Sequence, residues 1–222
     1  MSIAKLRICC FSGTGGTGKT KVIDELCHQN THYFFLPSIV RSFYQMNGVH
    51  DEKAFFEDMS SKEKLSFQVS LLTYYMKTLN ARAKDIEAGY TNNAAIPDSY
   101  PVLIMDRSIY DHIAYTVMYG MTEVDTDTFD YMQSLIHDFK HLGPRVVYFP
   151  FPTGWDYKNG DDGFRYRSWG KDLVHDSILR RLLRDYYTNG ASDTLRFIPL
   201  APATSIAERA KKVDKHIHAK WT

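Results

Sequence analysis

Five short runs of apolar residues, separated by longer stretches with helical periodicity, dominate the hydrophobic pattern of the chain. Apolar runs of about four to eight residues bounded by turn residues are typical of buried strands, whereas recurrence every three or four residues is typical of amphipathic helices. Alternation of the two predicts an α/β fold whose parallel sheet is covered by helices on both faces. The predicted strands are Leu6–Phe11, Tyr33–Leu36, Val102–Met105, Arg145–Phe149 and Leu195–Leu200.

The longest predicted helix begins after Ser60, which forms the capping box Ser60-x-x-Glu63, and ends at Gly89. Its apolar residues form one narrow seam. This seam packs either against the sheet and neighbouring helices or against a second copy of the helix, in a homodimer through residues 61–88. The second alternative arises because unbroken heptads also suit a pair of helices. The sequence does not choose between the two. Further helices are predicted over Ser108–Tyr119, Thr126–Leu142, Lys171–Tyr187 and from the capping residue Ser205 towards Lys220.

The segment between the first strand and the first helix carries the most specific motif of the chain. Its sequence, Gly13-Thr14-Gly15-Gly16-Thr17-Gly18-Lys19-Thr20, matches G-x-x-x-x-G-K-[ST] without a mismatch. Glycines let backbone N–H groups face phosphate oxygens, and the helix that begins near Lys19 adds its positive end. The motif predicts a phosphate-binding loop in which Lys19 contacts the outer phosphates and the Thr20 hydroxyl ligates Mg²⁺.

Polar residues at the ends of the second and third strands are the candidates for the rest of a site. Asp106 follows the third strand directly, where ligands bind in open α/β sheets, and could hold Mg²⁺ or accept a proton from an attacking hydroxyl. Arg107 could grip a phosphate. Arg41, Tyr110 and Asp111 are candidates for substrate binding, although Arg107 and Asp111 could equally form an i,i+4 pair on a helix.

The stretch of about 151–170 breaks the periodicity and is expected to form a lid. A loop of that length inside a compact domain is usually functional. Arg165 and Arg167 could close over a terminal phosphate, neutralise developing charge and exclude water. Arg180 and Arg181 on the next helix either complete this lid or form a solvated face.

Composition narrows the classes of function and location. The 222 residues suit a single domain over 1–222, and the net charge of +1 gives no overall basic field for nucleic acid. No apolar stretch approaches the length of about 20 residues that spans a membrane. The three cysteines, Cys9, Cys10 and Cys27, have no metal-binding spacing and predict reduced thiols in a cytoplasmic protein.

Taken together, these motifs resemble those of P-loop kinases, in particular the group that contains the ribosylnicotinamide kinase domain of the bifunctional NAD-biosynthesis regulator, and phage-encoded nucleotide kinases of that group. The resemblance rests on the phosphate loop, on Asp106-Arg107 at a strand end, and on Trp155 followed by Asp162-Gly163-x-Arg165. It implies a three-layer sandwich with the sheet order 2-3-1-4-5, an arginine-bearing lid, and ATP with Mg²⁺ as the phosphoryl donor.

The acceptor is the point at which the resemblance is incomplete. Relatives often carry an acidic residue after the second strand, where this chain has Pro37-Ser38, so Asp106 is left as the expected base. The leading hypothesis is transfer of the γ-phosphate to a nucleoside or nucleotide. Two alternatives stay open: phosphorylation of a hydroxymethylated pyrimidine base in DNA, as some phage members of the group perform in the host cytoplasm, and a nucleotide-driven switch or motor.

Overall fold

The computed structural model describes residues 6–30, 32–50, 56–91, 100–118, 124–151, 169–187, 197–199 and 205–219. Five strands form one parallel sheet in the order β2-β3-β1-β4-β5, which confirms the predicted order. They are β1 (Arg7–Ser12), β2 (Tyr33–Leu36), β3 (Val102–Asp106), β4 (Arg145–Tyr148) and β5 (Phe197–Pro199). The described helices are α1 (Lys19–Gln29), α2 (Ile39–Met46), α3 (Ser61–Thr91), α4 (Ile109–Met118), α5 (Thr126–His141), α6 (Trp169–Tyr187) and α7 (Ile206–His218).

The strands are almost continuously apolar because the sheet is buried on both faces. Successive residues of β1 enter different clusters: Cys10 packs with the helices α3 to α6, whereas Cys9 and Phe11 pack with α1 and α7. The same alternation holds along β3 and β4. The result is the predicted three-layer sandwich.

Helix α3 uses its apolar seam within its own chain. Leu72, Met76, Leu79 and Ile86 are at most 4% exposed and belong to the core against the sheet. Most of the seam is therefore covered within the chain, and this does not support the homodimer that its heptads also allowed. The predicted capping box is present, with Ser60 N donating to Glu63 Oε2 at 2.8 Å. The predicted end at Gly89 is wrong, since the helix continues to Thr91.

The cysteines are free thiols, as expected. Cys9 and Cys10 are buried in β1 and Cys27 is half-buried in α1. Burial raises the pKa of the Cys9 thiol to about 12, so this group stays protonated at neutral pH. Among the residues that the structure describes, no helix is both long enough and apolar enough to span a lipid bilayer.

Candidate functional site

The phosphate loop lies at the carboxyl end of the central strand β1, directly before α1. Gly13, Gly16 and Gly18 have φ values of 137°, 70° and 84°, a region that side chains disfavour. A Cβ atom at Gly13 would lie only 2.4 Å from the carbonyl oxygen of Phe149, which follows β4. Glycine is therefore required at this position both by the backbone conformation and by the close approach of the neighbouring chain.

The side chain of Lys19 lies inside this loop. It is 6% exposed, and its Nζ donates hydrogen bonds to the carbonyl oxygens of Gly13 at 2.8 Å and Thr14 at 2.6 Å. Thr17 Oγ1 also donates to the Thr14 carbonyl at 3.0 Å. The ammonium group is thus held among loop atoms beside the positive end of α1, while Thr20 is exposed on the first turn of that helix.

Asp111 anchors the beginning of the loop. It is fully buried, and its Oδ1 accepts a hydrogen bond from Gly13 N at 2.9 Å. Its Oδ2 accepts from Ser108 N and Ser108 Oγ, both at 2.9 Å, and Arg107 Nη1 lies 3.6 Å from Oδ1. Burial alone would raise the pKa of Asp111, but the Arg107 guanidinium and the donated bonds hold this pKa below its usual value. The carboxylate is therefore ionised and fixes the loop to the first turn of α4.

Arg107 turns back towards the loop. Its φ of 94° is unusual for a residue with a side chain, and such a conformation persists only where the surroundings enforce it. Here Arg107 N donates to Phe11 O at 3.0 Å, and the Tyr75 hydroxyl donates to Arg107 O at 3.1 Å. The guanidinium is 3% exposed and lies 3.5 Å from Gly13 O, with its charge over the Tyr115 ring at 5.5 Å. Arg107 and Asp111 thus form the i,i+4 pair that the sequence also allowed.

Asp106 lies beside the loop on the neighbouring strand. It is the last residue of β3 and pairs in register with Phe11 of β1, two residues before Gly13. Its Oδ1 is buried and has no hydrogen-bond partner among the residues that the structure describes. A buried carboxylate oxygen without a partner is costly, and Mg²⁺ prefers oxygen ligands and water. Asp106 together with the exposed Thr20 hydroxyl therefore fits the chemistry of the expected metal ion.

Two further residues carry buried polar atoms: Gln68, to which no role was assigned from the sequence, and Ser38, which was noted only because relatives often have an acid there. Gln68 on α3 is 2% exposed, and its Oε1 has no partner in the described part of the chain; the same holds for the buried Ser38 Oγ at the start of α2. Gln68 precedes Tyr75 by seven residues, so both lie on the helix face that reaches the end of β3. In the sequence, Gln68 could have been recognised as a polar residue on the apolar face of the helix, between Leu65 and Leu72.

The remaining predicted substrate residues lie in different surroundings. Tyr110 is fully buried and packs edge to face against Phe139, with ring centres 5.7 Å apart, so it belongs to the core. Asp111 would have to give up its bonds to the loop in order to bind an acceptor, so neither residue fits the direct contact that was expected. Arg41 is exposed on α2, which begins at the carboxyl edge of β2.

The expected lid residues Trp155, Asp162, Gly163, Arg165 and Arg167 lie outside the described residues. The helix that follows is tied to β4 through Asp176, whose Oδ1 accepts from the Tyr148 hydroxyl at 2.6 Å and from Phe151 N at 3.0 Å. Arg180 Nη2 donates to Asp176 Oδ2 at 2.8 Å. This arginine, a candidate for completing the lid, is therefore engaged at the end of β4.

Comparison with known proteins identifies the family. A family model described as an AAA domain matches residues 8–186. The chain belongs to this AAA domain family. No curated protein matches the chain in a comparison by sequence.

Solved structures with the same fold include nucleoside and nucleotide kinases and a NadR protein. A thymidylate kinase from Candida albicans has a TM-score of 0.64 at 13% identity, with 96% of this chain and 94% of that chain covered. A deoxyadenosine kinase from M. mycoides has a TM-score of 0.59 at 14% identity, with coverage of 96% and 98%.

A NadR protein in complex with NAD and AMP-PNP has a TM-score of 0.61 at 11% identity. The match covers 98% of this chain but 51% of the NadR chain, so this chain spans about half the length of that protein. The predicted resemblance to P-loop nucleoside and nucleotide kinases is thereby confirmed for the fold.

Proposed function

We propose that the protein is an ATP-dependent kinase that transfers the γ-phosphate of ATP to a hydroxyl group of a nucleoside or nucleotide. The observation that carries this proposal is the phosphate loop, with the Lys19 ammonium enclosed in it and, on the adjoining strand, the Asp106 Oδ1 that has no hydrogen-bond partner within the described residues. Enzymes that transfer phosphoryl groups hold the phosphates in such a loop and use a nearby carboxylate to bind the metal ion or to orient the nucleophile. The fold that the chain shares with nucleoside and nucleotide kinases supports the same class.

Binding of the donor is assigned to the residues Gly13–Thr20. Their backbone N–H groups and the positive end of α1 would hold the phosphates, and Lys19 would neutralise charge on the outer ones. Thr20 would hold Mg²⁺, and Asp106 would hold it through water, so that the carboxylate stays available to the acceptor. When bound, the ion shields the charge of the phosphates. Arg165 and Arg167 are proposed to close over the terminal phosphate, as the resemblance of their segment to a kinase lid implies.

Binding of the acceptor is assigned to the carboxyl edge of β2 and β3. Asp106 would orient the attacking hydroxyl and accept its proton, since Ser38 stands where relatives often have an acid. Gln68 Oε1 and Ser38 Oγ are buried and lack hydrogen-bond partners in the described parts of the chain, so a bound molecule could satisfy them. An amide oxygen accepts hydrogen bonds from the N–H groups of a base and from hydroxyl groups alike, and a nucleoside carries both kinds of donor. Arg41 would contact this acceptor from α2.

The state of the three cysteines bears on the compartment in which the protein acts. Cys9, Cys10 and Cys27 are all free, and we infer a reducing, cytoplasmic environment from them.

The proposal is tested by supplying γ-labelled ATP and Mg²⁺ with a panel of free nucleosides, nucleotides and DNA that contains hydroxymethylated pyrimidines. We expect label in a free nucleoside or nucleotide. Lys19→Ala should abolish the transfer, whereas Lys21→Ala, which removes an exposed lysine from the same helix, should not. Label in the DNA alone would assign the acceptor to a base in a polymer, and release of phosphate without any acceptor would indicate a switch. Full transfer by Lys19→Ala would contradict the site.

A further inference from the structure

The buried side chain of Arg209 joins the last helix to the phosphate loop. Arg209 lies in the first turn of α7 and is 4% exposed. Its Nη1 donates a hydrogen bond to the carbonyl oxygen of Thr17 at 3.1 Å. A Cβ atom at Gly18 would lie 3.4 Å from the same nitrogen. The guanidinium therefore packs against the two residues that directly precede Lys19.

The position of Arg209 is fixed by the helix that carries it. The capping box of Ser205 and Glu208 sets the first turn of α7. Further along, Ala210, Val213 and Ile217 pack in one apolar cluster with the buried residues of α1. Because a rigid helix docked on α1 presents the side chain, Arg209 meets the loop in a defined orientation.

The contact to Thr17 bears on phosphate binding through the geometry of the peptide bond. In a planar trans peptide the C=O and the following N–H point in opposite directions. Arg209 holds the Thr17 carbonyl towards α7, and this directs the N–H of Gly18 to the opposite side of the same peptide. The guanidinium also adds a positive charge next to the loop, and burial strengthens its interaction with other charges.

We propose that Arg209 is a positioning residue for the donor phosphates: it fixes the Thr17–Gly18 peptide of the phosphate loop and adds positive charge beside it. This inference rests on the proposed function and deepens it. It predicts that loss of Arg209 weakens binding of ATP and leaves the affinity for the acceptor unchanged. A purely structural arginine would lower stability without changing the affinity for ATP.

Arg145 provides the matched control. It is 2% exposed and donates to the carbonyl oxygens of His216 and Ala219, at the other end of the same helix. Arg145→Met thus removes a buried arginine that also stabilises α7, but at the end of the helix that is distant from Arg209. Calorimetry with MgATP on the full chain, with thermal unfolding alongside, is measured for Arg209→Met, Arg209→Lys and Arg145→Met.

We expect Arg209→Met to weaken ATP binding about 10-fold, Arg209→Lys to restore most of the loss because it keeps the charge, and Arg145→Met to lower only the unfolding temperature. Equal affinity of Arg209→Met and wild type, or an equal loss in Arg145→Met, would overturn the inference while leaving the kinase proposal intact. Absence of ATP binding by the folded wild type would instead contradict the proposed function. Should Arg209→Met not fold, Arg209→Gln is measured in its place, and unchanged affinity again overturns the inference.

Discussion

Replacing Asp111 by asparagine tests whether this carboxylate holds the phosphate loop in place. The substitution keeps the shape of the side chain but removes its charge and turns one oxygen into an NH₂ donor. The two oxygens accept from Gly13 N, Ser108 N and Ser108 Oγ, each at 2.9 Å, so either orientation of the amide sets a donor against a donor. Arg107, 3.6 Å away, would also lose the charge of this carboxylate. Breaking one side of such a pair costs about 3–5 kcal/mol, and we expect the free energy of unfolding to fall by that amount.

Urea and thermal unfolding measure this loss against Asp138→Asn, which changes an exposed aspartate on α5. We expect Asp111→Asn to unfold about 10 °C lower, and the control to stay within about 0.5 kcal/mol of wild type. The pKa of Asp111 lies below its ordinary value of 3.8, so its contribution is present above that pH and is lost as the pH falls through the lower folded pKa. The two stability curves should therefore converge in acid. A variant as stable as the control, or a difference independent of pH, would refute this role.

Three further variants test other parts of the site and its support. Gly13→Ala should cost at least about 3 kcal/mol because its Cβ would meet the Phe149 carbonyl, whereas Gly48→Ala, with φ of 68° and open space, should cost about 1 kcal/mol in the same unfolding assay. Gln68→Leu should raise the free energy of unfolding by about 1 kcal/mol and raise the KM for the acceptor several-fold; an unchanged KM would remove Gln68 from the acceptor site. Burial lowers the pKa of His175 to about 4, so wild-type stability should fall by about 3 kcal/mol as the pH drops from 6.5 to 4. His175→Phe should lack this part of the pH dependence, and an unaltered slope would exclude His175 as its source.

Strands β1, β3 and β4 could be predicted because their side chains are buried on both faces of the sheet and turn residues bound them. Tyr33–Leu36 was predicted to the residue, and β1 is displaced by one residue from the predicted run. Helix α2 was missed because eight residues after Pro37 are too short to give a clear period. The predicted stop at Gly89 failed for an energetic reason. A glycine costs a helix only about 1 kcal/mol relative to alanine, which is small against the packing of 31 residues.

The parts of the site that could be predicted are local in sequence. The phosphate loop is a motif of eight consecutive residues, and Asp106 was marked by the strand before it. The roles of Asp111 and Arg209 in holding the loop could not be predicted from the sequence. Gly13 and Asp111 are 98 residues apart, and Thr17 and Arg209 are 192 residues apart. Asp111 was singled out for a different role, since a carboxylate after a strand end has the same signature whether it binds substrate or backbone. Burial, which only the fold reveals, distinguishes the two.

These two supports hold the loop at opposite ends and with opposite charges. At its beginning, the Asp111 carboxylate binds the N–H of Gly13, and towards its end, the Arg209 guanidinium binds the carbonyl of Thr17. A carboxylate this close would repel phosphates if it acted alone, but Arg107 lies 3.6 Å from it, and the two charges largely cancel at a distance. Lys19 and Arg209 then add positive charge along the loop itself. The loop can therefore be fixed by a buried anion and still favour the binding of an anionic ligand.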